Sequence, residues 1–297
     1  MLASLSQRLI QFKRIAVLTD LGSDSEKTLR YAACLARWYG AELLLAHACH
    51  SAEPLRTWPG SGPLPKRDAE EKCKFLAKKL ALQDLSPKTI VGEAGIESLL
   101  GRLEGYRPSL LVLATHGREG IRKWLEGSVA EKVFRRVQWP VLIVSPGFWQ
   151  TQATPQKQFE RILFATDLSA VSLTALQYAA GISHDHEAQL MALYVETDPT
   201  QSFSFDQAMA QQRLRDWLQD RIDGLAQTLA GVRCIVDFGK PENKIVEVAV
   251  QQQADIVVLG ARGVGALSGA AGHFLGGTAY EVACSSKCPV LIVPQPR

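Results

Sequence analysis

No stretch of this chain approaches the roughly 18 consecutive apolar residues that a membrane-crossing helix needs, and the N-terminal MLASLSQRLIQFKR has no apolar core of signal-peptide length. Charge of one sign is lacking too. The formal net charge is +3, from 33 Lys and Arg against 30 Asp and Glu, so no overall field draws nucleic acid or a lipid surface. Cysteine is sparse: positions 34, 49, 73, 234, 284 and 288, with no CxxC pair. That excludes a disulfide scaffold and suits a reducing compartment, where thiols behave as small hydrophobes. Neither GxxxxGK[ST] nor a GxGxxG fingerprint occurs, which removes P-loop NTPases and the ordinary dinucleotide-binding domains. The expectation is a cytoplasmic protein with no membrane or nucleic-acid partner.

What is present is enough for two domains. The 297 residues are 46% hydrophobic and 21% charged, the profile of a globular chain able to bury two ordinary cores. Several local features read as structural. Cys284 and Cys288 could share a helix face with His273 upstream, but zinc sites need a tighter set of ligands, so no metal is expected. His184 and His186 flank Asp185 in what reads as a solvated turn between helix and strand. Pro54 to Pro65, PLRTWPGSGPLP, reads as an exposed loop. The runs around Lys72 to Lys79 and Arg213 to Arg221 read as solvated helix faces.

The chain repeats itself. RIAVLTDLGSDSEKTLRYAACLA from Arg14 matches RILFATDLSAVSLTALQYAAGIS from Arg161, which pairs Asp20 with Asp167 at an offset of 167 − 20 = 147. LLVLATHG ending at Gly117 matches IVVLGARG ending at Gly263, and WPVLIV matches CPVLIV through Pro140 and Pro289. A nearly constant offset over three separated blocks marks a duplication. The domains expected are 1–148 and 159–297, joined by the linker Trp149 to Gln158, WQTQATPQKQ.

Each half alternates short apolar runs with amphipathic ones. Ile15 to Thr19, Glu42 to Ala48, Lys88 to Val91, Leu110 to Ala114 and Pro140 to Val144 read as strands too continuously apolar to have a wet face. Leu29, Ala32, Ala33 and Ala36 keep helical spacing, with Ser23 and Glu26 placed as a capping box and Gly40 as the stop; Leu176, Ala179 and Ala180 repeat the pattern. Strands separated by helices imply right-handed crossovers and a parallel sheet covered on both faces. Such a sheet takes ligands at the carboxyl ends of its strands, where the strand order switches.

Asp20 and Asp167 project to that edge after the first strand of each half, and a glycine-bearing turn, Ala114-x2-Gly117 onward, follows the fourth. Free backbone N–H groups and the partial positive charge of a helix starting near Ser128 could hold an anion there. The same turn equally suits a plain strand-to-helix connection, and the aspartates could simply cap their helices. His116, with no Ser, Cys or carboxylate in an assignable triad role beside it, reads as orienting the loop, and Trp124 as packing.

Both halves resemble universal stress protein domains, and the whole chain is similar to the tandem members of that family. Ala114-x2-Gly117-x9-Gly127-Ser128, followed by Val129 and AEKV, matches the family's G-x2-G-x9-G-[S/T] at three of its four marked positions. The resemblance implies two tandem Rossmann-like α/β domains of the adenine nucleotide alpha hydrolase-like kind, each a five-stranded parallel sheet with helices on both faces. It also implies an ATP site, Mg accompanying the nucleotide, with Asp20 and Ala48 beside the base and Gly117, Arg118, Gly127, Ser128 and Val129 around the phosphates. In the second half Asp167, Val195, Gly260, Gly263, Gly276, Gly277 and Thr278 take those places. There twelve residues replace nine between the glycines, and VGALSGAAGHFL contains no Lys or Arg, so a changed or lost nucleotide preference is expected. Three functions follow: a regulatory adenine-nucleotide binder with little or no turnover, acting through a protein partner; a slow ATPase; or a small-molecule or lipid sensor without nucleotide. Single-domain relatives dimerise through the final strand, so the resemblance also implies an intrachain pseudo-dimer of the two halves, with further dimerisation through other surfaces open.

Overall fold

Apolar residues fill nearly every strand position, and that decides the architecture. In a strand, alternate side chains point to opposite faces, so RIAVL and ELLLAHA can be buried throughout only if both faces of the sheet are covered. The computed structural model describes residues 8–49, 65–114, 133, 136–145, 148, 159–197, 206–220, 231–261 and 277–295. Two units form, one from Gln11 to Lys157, the other from Gln158 to Arg297 together with the residues up to Ile10.

In the first unit β1 (Arg14–Leu18), β2 (Glu42–Ala48), β3 (Lys88–Gly92), β4 (Leu110–Ala114) and β5 (Val141–Val144) lie in the order β3-β2-β1-β4-β5, all neighbours parallel. These strands match the expected ones to within a residue at each end. Helices α1 (Ser23–Tyr39), α2 (Lys66–Lys79) and α3 (Gly95–Tyr106) make the crossovers. The second unit repeats this with β6 (Arg161–Thr166), β7 (Gln189–Glu196), β8 (Arg233–Phe238), β9 (Ile256–Gly260) and β10 (Val290–Val293) in the order β8-β7-β6-β9-β10, again parallel. Among the described residues its helices are α4 (Leu173–His186), α5 (Gln207–Gln219), α6 (Pro241–Gln251) and α7 (Gly277–Ser285). The fold is thus two tandem Rossmann-like α/β domains. Ile15, Leu43, Leu44 and Leu45 in one core and Phe164 in the other are fully buried, each contributing about 2–3 kcal/mol of transfer free energy.

Two local expectations are corrected. Ser23 is not the N-cap that the expected capping box with Glu26 requires: Gly22 is the N-cap, without a side-chain bond, and Ser23 already belongs to the helix. Glu26 instead pairs with Lys79. Gly40 does stop α1, in the left-handed conformation at φ 65°. The second correction concerns His184, Asp185 and His186. They are no solvated turn but the last residues of α4, with Asp185 and His186 buried, because the chain entering the second unit folds across that helix end.

That burial has a parallel in the first unit. Phe12 meets Tyr39 edge-on at 4.9 Å, and Phe159 meets His186 at 4.7 Å, at positions related by the offset of 147. Phe159 N donates to His186 Nδ1 over 3.1 Å, which puts the imidazole proton on Nε2. Burial, reinforced by the nearby charge of Arg8, pushes the His186 pKa down to about 3.

Candidate functional site

Strand order locates the crevice. β1 has β2 on one side and β4 on the other, and β6 has β7 and β9, so in each unit the order reverses at the first strand. Crossovers leave in opposite directions there, which opens a cleft at the carboxyl ends. Leu18 lies opposite Leu113, and Phe164 opposite Val258. Asp20 and Ala114 in the first unit, and Asp167 and Gly260 in the second, therefore arrive at the same edge. Ala48 ends the neighbouring strand β2 and Val195 is the next-to-last residue of β7, opposite Gly92 and Asp237. Thr19 N donates to Ala46 O at 2.9 Å, and His47 Nδ1 lies 2.8 Å from Thr19 O, tying the ends of β1 and β2 together.

A Thr-Asp-Leu turn follows the first strand in both units. Thr19 Oγ1 accepts from Leu21 N at 2.9 Å, and Thr166 Oγ1 from Leu168 N at 3.0 Å. Each leucine is left-handed, at φ 63° and φ 60°, a conformation that costs a non-glycine residue about 1–2 kcal/mol. The threonine bond helps hold that strained turn. The aspartates bond locally as well: Asp20 Oδ1 accepts from Gly22 N at 2.8 Å and from the Ser25 hydroxyl, and Asp167 Oδ1 from Ser169 N at 3.1 Å and Ser169 Oγ at 2.5 Å. Asp20 is half-buried and Asp167 exposed. Only the aspartates stood out in the sequence, although the repeated TDL was legible as a turn with three working residues.

The second unit carries a polar cluster that sequence reading missed. Glu196, the last residue of β7, is 6% exposed; its Oε2 accepts from the Tyr194 hydroxyl at 3.0 Å and from Arg213 at 3.1 Å, and its Oε1 from Thr197 N at 3.0 Å. Arg213 also lies over the Tyr194 ring, 5.9 Å from its centre. Burial, then the bond to Glu196, raises the Tyr194 pKa. Arg213 stays on the expected solvated face, half exposed, and reaches from there to the buried carboxylate, which needs a charged partner. A glutamate closing the apolar run QLMALYV was the available signal. By the offset of 147, His47 and Cys49 occupy the positions of Tyr194 and Glu196, so the two crevices differ in charge beside the second strand.

Gly277, exposed, and Thr278, of intermediate burial, open α7. Gly117, Arg118, Gly127, Ser128, Val129, Gly263 and Gly276, with His116, Trp124 and His273, lie outside the described residues. Cys288 falls beyond the end of α7, so it and Cys284 do not share a helix face. Among the described residues no group of three or more His, Cys, Asp or Glu is placed to hold a metal ion. Burial pushes the Cys73 thiol up to about 12 and the Cys288 thiol up to about 11, keeping both protonated and unreactive.

The family model of the universal stress protein family matches residues 11–145 and again 158–294. The chain belongs to that family, as a tandem member. This universal stress protein is 29% identical over 146 residues to a universal stress protein of Methanocaldococcus jannaschii, an alignment covering 47% of this chain and 84% of that one. A universal stress protein of Mycobacterium tuberculosis is 26% identical over 190 residues, covering 63% of this chain and 62% of its own. Among solved structures, a universal stress protein from Archaeoglobus fulgidus superposes with a TM-score of 0.66 at 19% identity, over 95% of this chain and 96% of that one, a likeness of fold. No helix among the described residues is long and apolar enough to cross a membrane.

Proposed function

We propose that this universal stress protein binds ATP, or a related adenine nucleotide, at the carboxyl edge of its first unit, and that occupancy rather than turnover is its output in a stress response. The observation that carries the reading is the crevice between β1 and β4, where a Thr-strapped turn presents Asp20 next to the strand that leads into Gly117. Asp20 and Ala48 would face the base. Gly117, Arg118, Gly127, Ser128 and Val129 would surround the phosphates, with backbone N–H groups as the main donors and Mg accompanying the nucleotide. The sequence offers no P-loop lysine and no positioned base, so any hydrolysis would be slow.

The second unit is read as a weaker or altered site. Its cation-free loop from Val264 to Leu275 is three residues longer, and Glu196 brings a carboxylate beside the position of Val195. Titration calorimetry with ATP, followed by native mass spectrometry, tests the reading. One strong site per chain is expected, with phosphate release negligible over the same hours. Two sites of equal affinity would overturn the inequality, and absence of binding would overturn the nucleotide assignment.

The proposal extends to assembly. Among the described residues β5 pairs with β4 and β10 with β9, so each is the outermost strand of its own unit's sheet and is apolar throughout. Such an edge is unstable in water unless paired or covered, and two copies joined by a linker of about ten residues would meet at high effective concentration. The halves would then form an intrachain pseudo-dimer, free to dimerise further and to engage a regulatory partner protein.

A further inference from the structure

At the far end of α4 from the ligand edge, the side chain of Asp185 is fully buried. A carboxylate can be held there only with donors for its oxygens. Leu9 N donates to Oδ1 at 2.7 Å and Ile10 N to Oδ2 at 2.9 Å, from 176 and 175 residues away; His184 Nδ1 is 3.2 Å from Oδ1. One helical turn earlier, Gly181 faces the same segment. A Cβ there would stand 2.5 Å from Ile10 Cγ1, 2.7 Å from Ile10 Cδ1 and 3.5 Å from Leu9 Cβ. Residues four apart lie on one helix face, so the carboxylate and the missing side chain form one surface. A glycine inside a helix is otherwise unfavourable. In the duplicated helix α1 the corresponding positions, 181 − 147 = 34 and 185 − 147 = 38, hold Cys34 and Trp38, so the pair is particular to the second half.

We propose that this face of α4 is a peptide-binding site for an extended segment with two consecutive backbone N–H groups and an aliphatic side chain, and that its occupant is this chain's own Arg8–Ile10. Asp185 reads the backbone and Gly181 seats the aliphatic group. Leu9, 48% exposed, sits at a position free to vary. Because the unit that contains α4 includes the residues up to Ile10, the N-terminal segment acts as a built-in ligand of the second unit, and a cut made between the halves would strip the site of it.

The full chain tests this by trypsin cleavage after Arg8, followed by mass spectrometry, together with hydrogen exchange at Leu9 and Ile10. In Asp185→Asn one of the two acceptors becomes an amide, and in Ile10→Pro one donor is lost without touching α4. Each should speed cleavage after Arg8 by about tenfold or more, as loss of a charge-assisted hydrogen bond implies, while α4 keeps its own exchange protection. Gly181→Ala should release the segment too, and adding Ile10→Ala, which deletes the two clashing atoms, should restore protection. A synthetic peptide of residues 5–12 should bind the Ile10→Pro protein in fluorescence anisotropy, and bind it at least about tenfold more weakly once Asp185→Asn is added. Unchanged cleavage in both Asp185→Asn and Ile10→Pro, or peptide binding indifferent to Asp185, would overturn the proposal.

Discussion

His186 shows how one side chain gives a fold its acid sensitivity. Buried neutral, with Nδ1 accepting from Phe159 N, it has a folded pKa of about 3 against an ordinary 6.5. The unfolded chain takes up the proton first as pH falls, so the stabilising contribution is complete above about 6.5 and is lost progressively toward about 3. Between pH 7 and pH 5 the loss from this group is about 2 kcal/mol. His186→Tyr, which imports the residue of the first unit, should reduce the pH dependence of urea unfolding by that amount. An identical slope in both proteins would mean the ring is not buried neutral. The nucleotide site makes a second demand at this scale. Gly117→Val or Gly127→Val should abolish ATP binding in calorimetry while leaving the circular dichroism spectrum unchanged, since a side chain would occupy the space phosphate needs.

At the scale of elements, an ion pair links β7 to α5. Glu196 has an 8% exposed side chain, and Arg213, half exposed, is its cationic partner. Arg213→Ala should cost about 1–3 kcal/mol in chemical denaturation, because the buried carboxylate loses a donor. Arg136 forks at 2.5 and 2.9 Å to Glu104, a carboxylate that is itself exposed, and such pairs contribute roughly 0–1 kcal/mol. The contrast is in solvent: the same chemistry counts where water cannot replace it.

At the scale of the whole molecule, the proposed pairing of β5 with β10 would make the halves each other's edge cover. Leu142 and Leu291, each 1% exposed, are the places to test it. Leu142→Lys with Leu291→Lys should loosen the halves, raising the radius of gyration in small-angle scattering and the binding of an apolar dye. If the double variant kept wild-type compactness and separately expressed halves ignored each other, the pairing would have to be abandoned.

Strand positions, the duplication and the parallel pairing were legible before any coordinates, because runs such as LLVLA and VLIV leave no face for water and a nearly constant offset makes the second half repeat the first. Asp20 and Asp167 could be assigned to the carboxyl edge for the same reason, whereas Ala48 and Val195 were singled out by the family resemblance. Local signals were weaker where a distant partner decides. Ser23 and Glu26 satisfy a capping pattern, yet Glu26 turns to Lys79. HDH looks solvated until Leu9 and Ile10, from the other end of the chain, bring it two N–H donors. Arg213 is part of an exposed face, as its run suggests, but that it reaches the buried Glu196 of β7 was not legible. Periodicity records which residues must avoid water, whereas the choice of polar partner depends on which segments the completed fold brings within hydrogen-bonding distance.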